Sequence, residues 1–414
     1  MRSDRGQKNI EKYQETINER EAEIIARHRR LALEEISMMY EALDKELSQE
    51  LLETGRYRDA GYVQRRVQTG IGLIKPRTRR LKRKKRCGSV YPIYSVGKVG
   101  RVSGVARERC IQAAIGQSYE QSQKTLKILS GMEMSRMGIW KVIQETGEAE
   151  RKKQETERAA MFEQGVLPSS CQPHKDKAVV EVDGILIGSR REVLESQTVA
   201  GVRRMEVKVG VAFSGVCQES PSRRRTVGRS IHARISSSEE FAEAWYVHCL
   251  QHGIDEQTSI HVLGDGAPWI RSVRAQSFPG SRYTLDLCHL RRNARAVLTE
   301  RQYKEFSQFI WSGSGDEMIS YIRRLRPSDG VHREELHNFQ EYLEANREGL
   351  VYQRGKLNGS GAIEKTVDIL VARRMKRRGM SWSKDGANNI IALRALALNQ
   401  ESSLRDTRLA YHTF

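Results

Sequence analysis

KAVVEVDGILI, running from Lys177 to Ile187, is the stretch whose reading decides the fold. Val179, Val180 and Val182 give it the β-branched density of a strand, and Asp183 sets a carboxylate among apolar neighbours, where an unpaired charge is costly to bury. Downstream, RRMEVKVGVAFSG (Arg203 to Gly215) reads as a second strand, with Val207, Val209 and Val211 on one face. Arg224 to Ile235 reads as a third. Ser237 to Gln251 has the spacing of an amphipathic helix, with Ser238 as its expected cap. SIHVLGDGAPW (Ser259 to Trp269) returns to a strand that ends at Asp265, and RYTLDLCHL (Arg282 to Leu290) is the next one. From Leu290 to Arg354 the chain is polar and helical, which reads as an insertion.

Three strands, a helix, then strands alternating with helices give the order of an α/β ribonuclease-H-like core, a mixed sheet flanked by helices. In such a sheet the first and fourth strands are neighbours, and a late helix packs across their ends. The late helix is supplied by LNGSGAIEKTVDILVARRMKRRGMSWS, Leu357 to Ser383. Ser360 is placed to cap it, Ile363, Val367, Leu370 and Val371 form one apolar face, and Gly379 is the expected stop. Glu364 lies in its first turn, with Asp368 a rival one turn on, while Arg373, Arg374, Lys376, Arg377 and Arg378 fill its last turns. These charges either complement the helix dipole or form an acid that holds a metal beside cations that hold phosphates.

Asp183, Asp265 and Glu364 would then meet at one site. Close carboxylates repel by roughly 4 kcal/mol per pair at an effective dielectric near 20, so they protonate unless cations join them. Two Mg2+ (or Mn2+) ions suit oxygen donors and two-metal phosphoryl transfer, whereas His or Cys would indicate zinc. Each acid also has a plain reading: Asp265-Gly266 as a turn, Glu364 as a first-turn acid. Asp286 and His289 are secondary candidates, with a core or helix-start histidine as the alternative.

Lys and Arg number 71 against 52 Asp and Glu, leaving +19 and a pI near 9.8. That excess points to a polyanion, nucleic acid before membrane, since no apolar run reaches spanning length. The first residues lack the apolar core of a secretory leader, so a cytoplasmic, nucleoid-associated protein is expected. Six cysteines form no CxxC or CxxH pair, which excludes a zinc knuckle or redox dithiol. Lys75 to Arg86, KPRTRRLKRKKR, holds nine basic residues in twelve. Lys75, Arg77, Arg79, Arg80, Lys82, Arg83, Lys84, Lys85 and Arg86 are therefore candidates for DNA phosphates, a solubilising tail being the alternative. GIGLI and SVYPIY flank the run as short strands. Helices at Arg107–Ile115, Ser118–Leu129 and Met134–Glu145 have helix-turn-helix proportions, and a separate charged helix follows from Gly147 to Glu163. From Asn9 to Leu52 a long helix carries Ile10, Ile17, Ile24 and Leu31 at intervals of seven. It is either a coiled-coil arm or a helix packed on its own domain. The expected division is an N-terminal helix (1–60), a basic DNA-binding region (61–165), the core (176–299), a helical insertion (300–356), completion of the core (357–400) and a tail (401–414).

VVEVDGILI, VLGDGAPWIR, LDLCHLRRNAR and GSGAIEKTVDILVARRMKRRGMSWS resemble bacterial insertion-sequence transposases of the ISLre type, with the ISKra type a second relative. The last block is the specific one, joining turn, acid, basic helix and Gly-Met-Ser-Trp. The resemblance implies the DDE class, with Asp183, Asp265 and Glu364 as first, second and third acids binding two divalent metals. It further implies cleavage at element ends, attack of the freed 3′-hydroxyl on target DNA, recognition of terminal inverted repeats by the region before Ala178, and a homo-oligomer at synapsis. Trp382 is a candidate for stacking on an unpaired base, with a core tryptophan as its alternative. A nuclease that does not join ends and an inactive DNA-binding regulator are the other readings of the same residues.

Overall fold

The computed structural model describes residues 2–84, 88–95, 101–190, 197–199, 202–220, 223–312, 315–327, 330–354 and 357–412. Lys85 and Arg86 lie outside the described residues. The chain divides into two compact units, Met1–Ile143 and Gln144–Phe414.

In the first unit, α1 (Arg2–Glu53) is followed by β1 (Tyr57–Gln64), β2 (Val67–Thr69), β3 (Gly72–Ile74), β4 (Arg77–Arg83), β5 (Ser89–Val90) and α2 (Pro92–Ser95). Two more helices, α3 (Gly104–Gly116) and α4 (Tyr119–Ser130), precede α5 (Arg136–Gln164). Leu33, Ile36, Tyr40 and Leu47 of α1 pack on Val67, Ile74, Ile93 and Tyr94. Asp44, buried within this cluster, accepts the Arg79 and Ile93 amides at 2.6 and 3.2 Å. The C-terminal part of α1 is thus a helix packed on its own domain. The basic run is not a segment between strands: most of it is β4, the middle strand of an antiparallel β1-β4-β5 sheet. Thr78 and Leu81 are fully buried and anchor it, so packing overrides the charge. SVYPIY yields only the two residues of β5 before turning helical.

The three expected helices are present as α3, α4 and α5, capped by Ser103 and Ser118 at the first two starts. The break at Gly147 is absent, because α5 runs through it. A Cβ there would come within 2.4 Å of the Asn389 carbonyl, so this glycine permits a close helix crossing.

The second unit holds β6 (Lys177–Gly188), β7 (Gln197–Val199), β8 (Val202–Phe213), β9 (Gly215–Ser220), β10 (Arg223–Val227), β11 (Ser230–Arg234), α6 (Ser238–Gln251), β12 (Ser259–Gly264), α7 (Pro268–Ser277), β13 (Arg282–Leu285) and α8 (Leu287–Val297). Then come α9 (Glu300–Phe309), α10 (Gly315–Arg324), α11 (Gly330–Ala345), α12 (Gly361–Val367), the one-turn α13 (Arg373–Met375) and α14 (Lys384–His412). The main sheet is mixed, in the order β11-β8-β6-β12-β13, with β7 pairing β8. β8 runs antiparallel to both neighbours, while β6, β12 and β13 are parallel. Val180, Val182, Phe241, Trp245, Val262, Ile270 and Leu290 belong to one continuous core. Among the described residues no helix is long and apolar enough to cross a membrane.

Several boundaries differ from expectation. Arg224–Val227 belongs to a β9–β10 hairpin, and only Ser230–Arg234 joins the main sheet. Ser237, not Ser238, caps α6 by accepting the Glu240 amide. The strand from Arg282 stops at Leu285, where Asp286 caps α8. β11 forms the sheet edge, and α14 covers it with side-chain amides. Asn388 pairs both ways with the Ile235 backbone, at 2.8 and 3.2 Å, and Asn399 pairs both ways with Ile231, at 2.8 and 2.9 Å.

The late helix is not continuous either. After α12 the chain widens into a π-helical segment, Asp368–Ala372, before α13. Buried Arg394 of α14 donates to the carbonyls of Leu370 (2.6 Å) and Ile369, which a wide turn leaves without ordinary helical partners. Burial, with Arg374 and Arg377 nearby, lowers its pKa to about 10. Arg394→Met keeps the stem but orphans those carbonyls. Urea denaturation of this variant should show about 2 kcal/mol less stability than the parent.

Candidate active site

The site grows from β6. Glu181 and Asp183 are two residues apart and so share one face of the strand, opposite Val180 and Val182. In the parallel pairing of β12 with β6, Leu263 sits opposite Glu181. Two residues further on, the same register sets Asp265 level with Asp183. Asp265 lies just past β12 and accepts the Ala267 amide at 2.9 Å. Gly266 follows at φ 87°, and a Cβ there would meet Asn346, Leu285 and Tyr342 within 2.9 Å, so the turn after Asp265 requires glycine.

Glu364 comes from α12, which packs on β6 and β8. Two buried carboxylates anchor the start of this helix. Glu181 Oε2 accepts the Ile363 amide at 2.7 Å, and Asp286 Oδ2 accepts both the amide and the hydroxyl of Ser360 at 2.5 Å each. Ser360 thus stands at the cap position without capping, its hydroxyl being committed to Asp286. Glu181 does the capping from another strand, satisfying an amide that α12 leaves open. Asp286 Oδ1 meanwhile accepts the His289 amide at 2.8 Å, making one residue the cap of α8 and the tether of α12.

Asp183 registers its surroundings. Burial pushes its pKa up to about 6, against the pull of the Gly184 amide. The Asp265 and Glu364 charges push the same way, and His289 opposes them. Asp265 and Glu364 are therefore each near enough to act on Asp183. Burial likewise pushes Glu181 up to about 7, against the amides of Ile363 and Ala362, with Asp286 and Glu364 adding to the rise. Among the described residues, the only basic side chain within salt-bridge distance of the three acids is His289, whose Nδ1 is 4.0 Å from Asp265 and carries charge only when protonated. Such a set of hard oxygens without a Lys or Arg partner fits a divalent cation in kind. No group of three or more His, Cys, Asp or Glu side chains among the described residues stands close enough to hold one. The acids share a neighbourhood without converging on a point.

The acid-bearing elements, residues 181–364, lie within residues 12–410, the span that matches one protein-family model. The chain belongs to UPF0236. That model carries the description of an uncharacterised protein family. One UPF0236 relative, from Caldanaerobacter subterraneus subsp. tengcongensis, is 22% identical over 91% of this chain and 78% of its own length. Another, described as the UPF0236 protein in the vanSb 3′ region of Streptococcus gallolyticus, is 23% identical over 91% of this chain and 82% of its own. A crystal structure of NurA bound to dAMP and manganese aligns over 66% of this chain and 64% of that one, at 11% identity and a TM-score of 0.11, which carries no argument.

Other candidates of this UPF0236 chain are redistributed. Asp286 is buried and fully used as a structural anchor, so it is not an open ligand. His289 accepts from Arg292 at 3.1 Å. Asp368 is paired with Arg373 at 2.8 Å and does not rival Glu364. Arg374 is buried under the Trp382 ring, 5.2 Å from its centroid, and so cannot reach a phosphate. Trp382 is half-buried, donates its indole N–H to the Met375 carbonyl at 3.2 Å and exchanges backbone bonds with Gly188 and Arg190. It serves as a strap between α13 and the end of β6 rather than a free stacking platform. Lys376, Arg377 and Arg378 are exposed beyond α13. In β4, Arg79 pairs with Asp59 at 3.6 Å and with the Tyr62 hydroxyl, and Arg80 donates to the Ala60 carbonyl. Lys75, Arg77, Lys82, Arg83 and Lys84 remain exposed. Glu181 went unnoticed from sequence, although VVEVD places it on the same strand face as Asp183.

The raised acids fix a pH dependence. A carboxyl whose folded pKa exceeds its unfolded value favours the folded state while protonated, and that support is lost as pH rises through the folded value. For metal-free Asp183 the window runs from about 4 to about 6. Asp183→Asn should therefore exceed the parent in stability by about 3 kcal/mol at pH 8 and match it at pH 4. Thermal melts at the two pH values, with a chelator present, check this.

Proposed function

We propose that this chain is the transposase of a bacterial insertion sequence, of the ISLre type and DDE class, built on a ribonuclease-H-like core. The observation that carries the reading is geometric: the β6–β12 register sets Asp265, 82 residues beyond Asp183 in sequence, level with it, and α12, which bears Glu364 181 residues beyond, packs on β6. Sheet order supports it, with the third, second, first, fourth and fifth main strands in sequence side by side and the second alone reversed. One UPF0236 relative from Caldanaerobacter subterraneus subsp. tengcongensis bears a name that joins eleven designations, which is the imprint expected of an element that copies itself.

In this reading Asp183, Asp265 and Glu364 hold two Mg2+ or Mn2+ ions. Bound there, the ions would polarise a DNA phosphodiester and lower the pKa of an attacking water or 3′-hydroxyl. Glu181 and Asp286 fix the start of α12 and with it the backbone position of Glu364. Exposed Lys376, Arg377 and Arg378 bind strand phosphates beside the helix, and the exposed cations of β4 bind duplex DNA, terminal inverted repeats included. Double-stranded donor and target DNA are the partners.

Asp183→Ala and Glu364→Ala should each lower Mg2+-dependent cleavage of an end-bearing duplex about a thousandfold or more, with DNA affinity kept within about threefold. A pre-cleaved end separates the alternatives. Joining to target DNA supports the transposase, cleavage without joining makes the chain a nuclease, and binding without either makes it a regulator. Full cleavage by both variants overturns the assignment of these residues.

A further inference from the structure

We infer that the N-terminal half of α1 pairs with the same helix of a second copy, and that the two helices run antiparallel. Leu33, Ile36, Tyr40 and Leu47 occupy the side of α1 that packs on its own unit. At about 100° per residue, Tyr13, Ile17, Ile24, Leu31 and Met38 fall on the opposite side. These five are 71, 62, 51, 45 and 61% exposed. Ile17, Ile24, Leu31 and Met38 recur every seven residues, the spacing of one seam position of a coiled coil. From Tyr13 to Met38 the helix presents about 38 Å of such surface.

Charge selects the occupant and its direction. The second seam position, three residues after each of the first three seam residues, holds Arg20, Arg27 and Glu34. A parallel copy would stack each of these on its own equivalent, Arg on Arg twice and Glu on Glu once, in layers that exclude water. An antiparallel copy sets each of them beside an apolar residue instead, Arg20 by Leu31, Arg27 by Ile24 and Glu34 by Ile17, and sets Tyr13 by Met38. Long Arg and Glu stems can cover such neighbours while their charges reach solvent. The same alignment brings Glu21 toward His28 and Glu23 toward Arg30 of the other copy, so the flanks attract. No other polypeptide is needed to explain the stripe: the helix complements itself about a two-fold axis between Ile24 and Arg27. This pairing does not depend on the chemistry proposed above.

Sedimentation of the full-length chain without DNA, over a concentration series, tests it. The parent should dimerise, and Ile24→Lys should weaken association about a hundredfold with unchanged helical circular dichroism, since the residue is exposed in the single chain. Glu23→Arg and Arg30→Glu should each weaken it about threefold or more, whereas the double reversal should restore it. Residues 23 and 30 are too far apart to touch within one helix, so restoration reports contact between copies. A chain monomeric throughout, an Ile24→Lys variant that associates like the parent, or a double reversal weaker than either single change overturns the proposal. The last result indicates parallel helices.

Discussion

The start of α12 depends on two buried carboxylates. A helix of seven residues has little stability of its own, and its first amides need acceptors wherever they are shielded from water. Here the acceptors are Glu181 on the central strand and Asp286 at the head of α8, joined through Ile363 and Ser360. Both are themselves fixed by other elements, Glu181 by the sheet register and Asp286 by its capping of α8. The position of Glu364 is therefore inherited from the sheet, and a helix remote in sequence is delivered beside Asp183 with little freedom.

This arrangement is electrostatically expensive as it stands. Asp183 feels the charges of Asp265 and Glu364, Glu181 feels those of Asp286 and Glu364, and these two acids of β6, the first half-buried and the second buried, respond by taking up protons more readily. Ordinary structural carboxylates in a basic chain find an Arg or Lys. Among the described residues, those at this site do not, despite a formal charge of +19. Of the cations that follow Glu364, Arg373 is paired with Asp368, Arg374 is buried under Trp382, and Lys376, Arg377 and Arg378 are exposed beyond α13. Acids left without a protein counter-charge either take up protons or accept a cation from outside the chain, and the second outcome is the physical basis of the function proposed.

Much of this was legible in the sequence because period and composition agreed. The valine-rich strand around Asp183, the strand ending at Asp265 and the first turn at Glu364 follow from local pattern alone. What was not legible has a common cause: partners distant in sequence. Ile363, Val367, Leu370 and Val371 suit an unbroken helix, and the widening at Asp368 becomes tolerable only when Arg394 supplies donors from another helix. Glu181 looks like one more strand residue until α12 arrives to use it. Arg374 counts as a surface cation in any tally of charge, yet the fold turns it inward. In β4 the reverse occurred, where Thr78 and Leu81 made a strand out of a basic run whose charge suggested a segment between two strands.

The side-chain amides of Asn388 and Asn399 have a consequence for assembly. An edge strand normally offers its backbone as a template for any extended peptide, but at Ile231 and Ile235 of this sheet those groups are already taken by α14. Fibril-like growth from that flank is blocked within the monomer itself. Copies crowded together in solution would then be kept from fusing into continuous sheets along that edge.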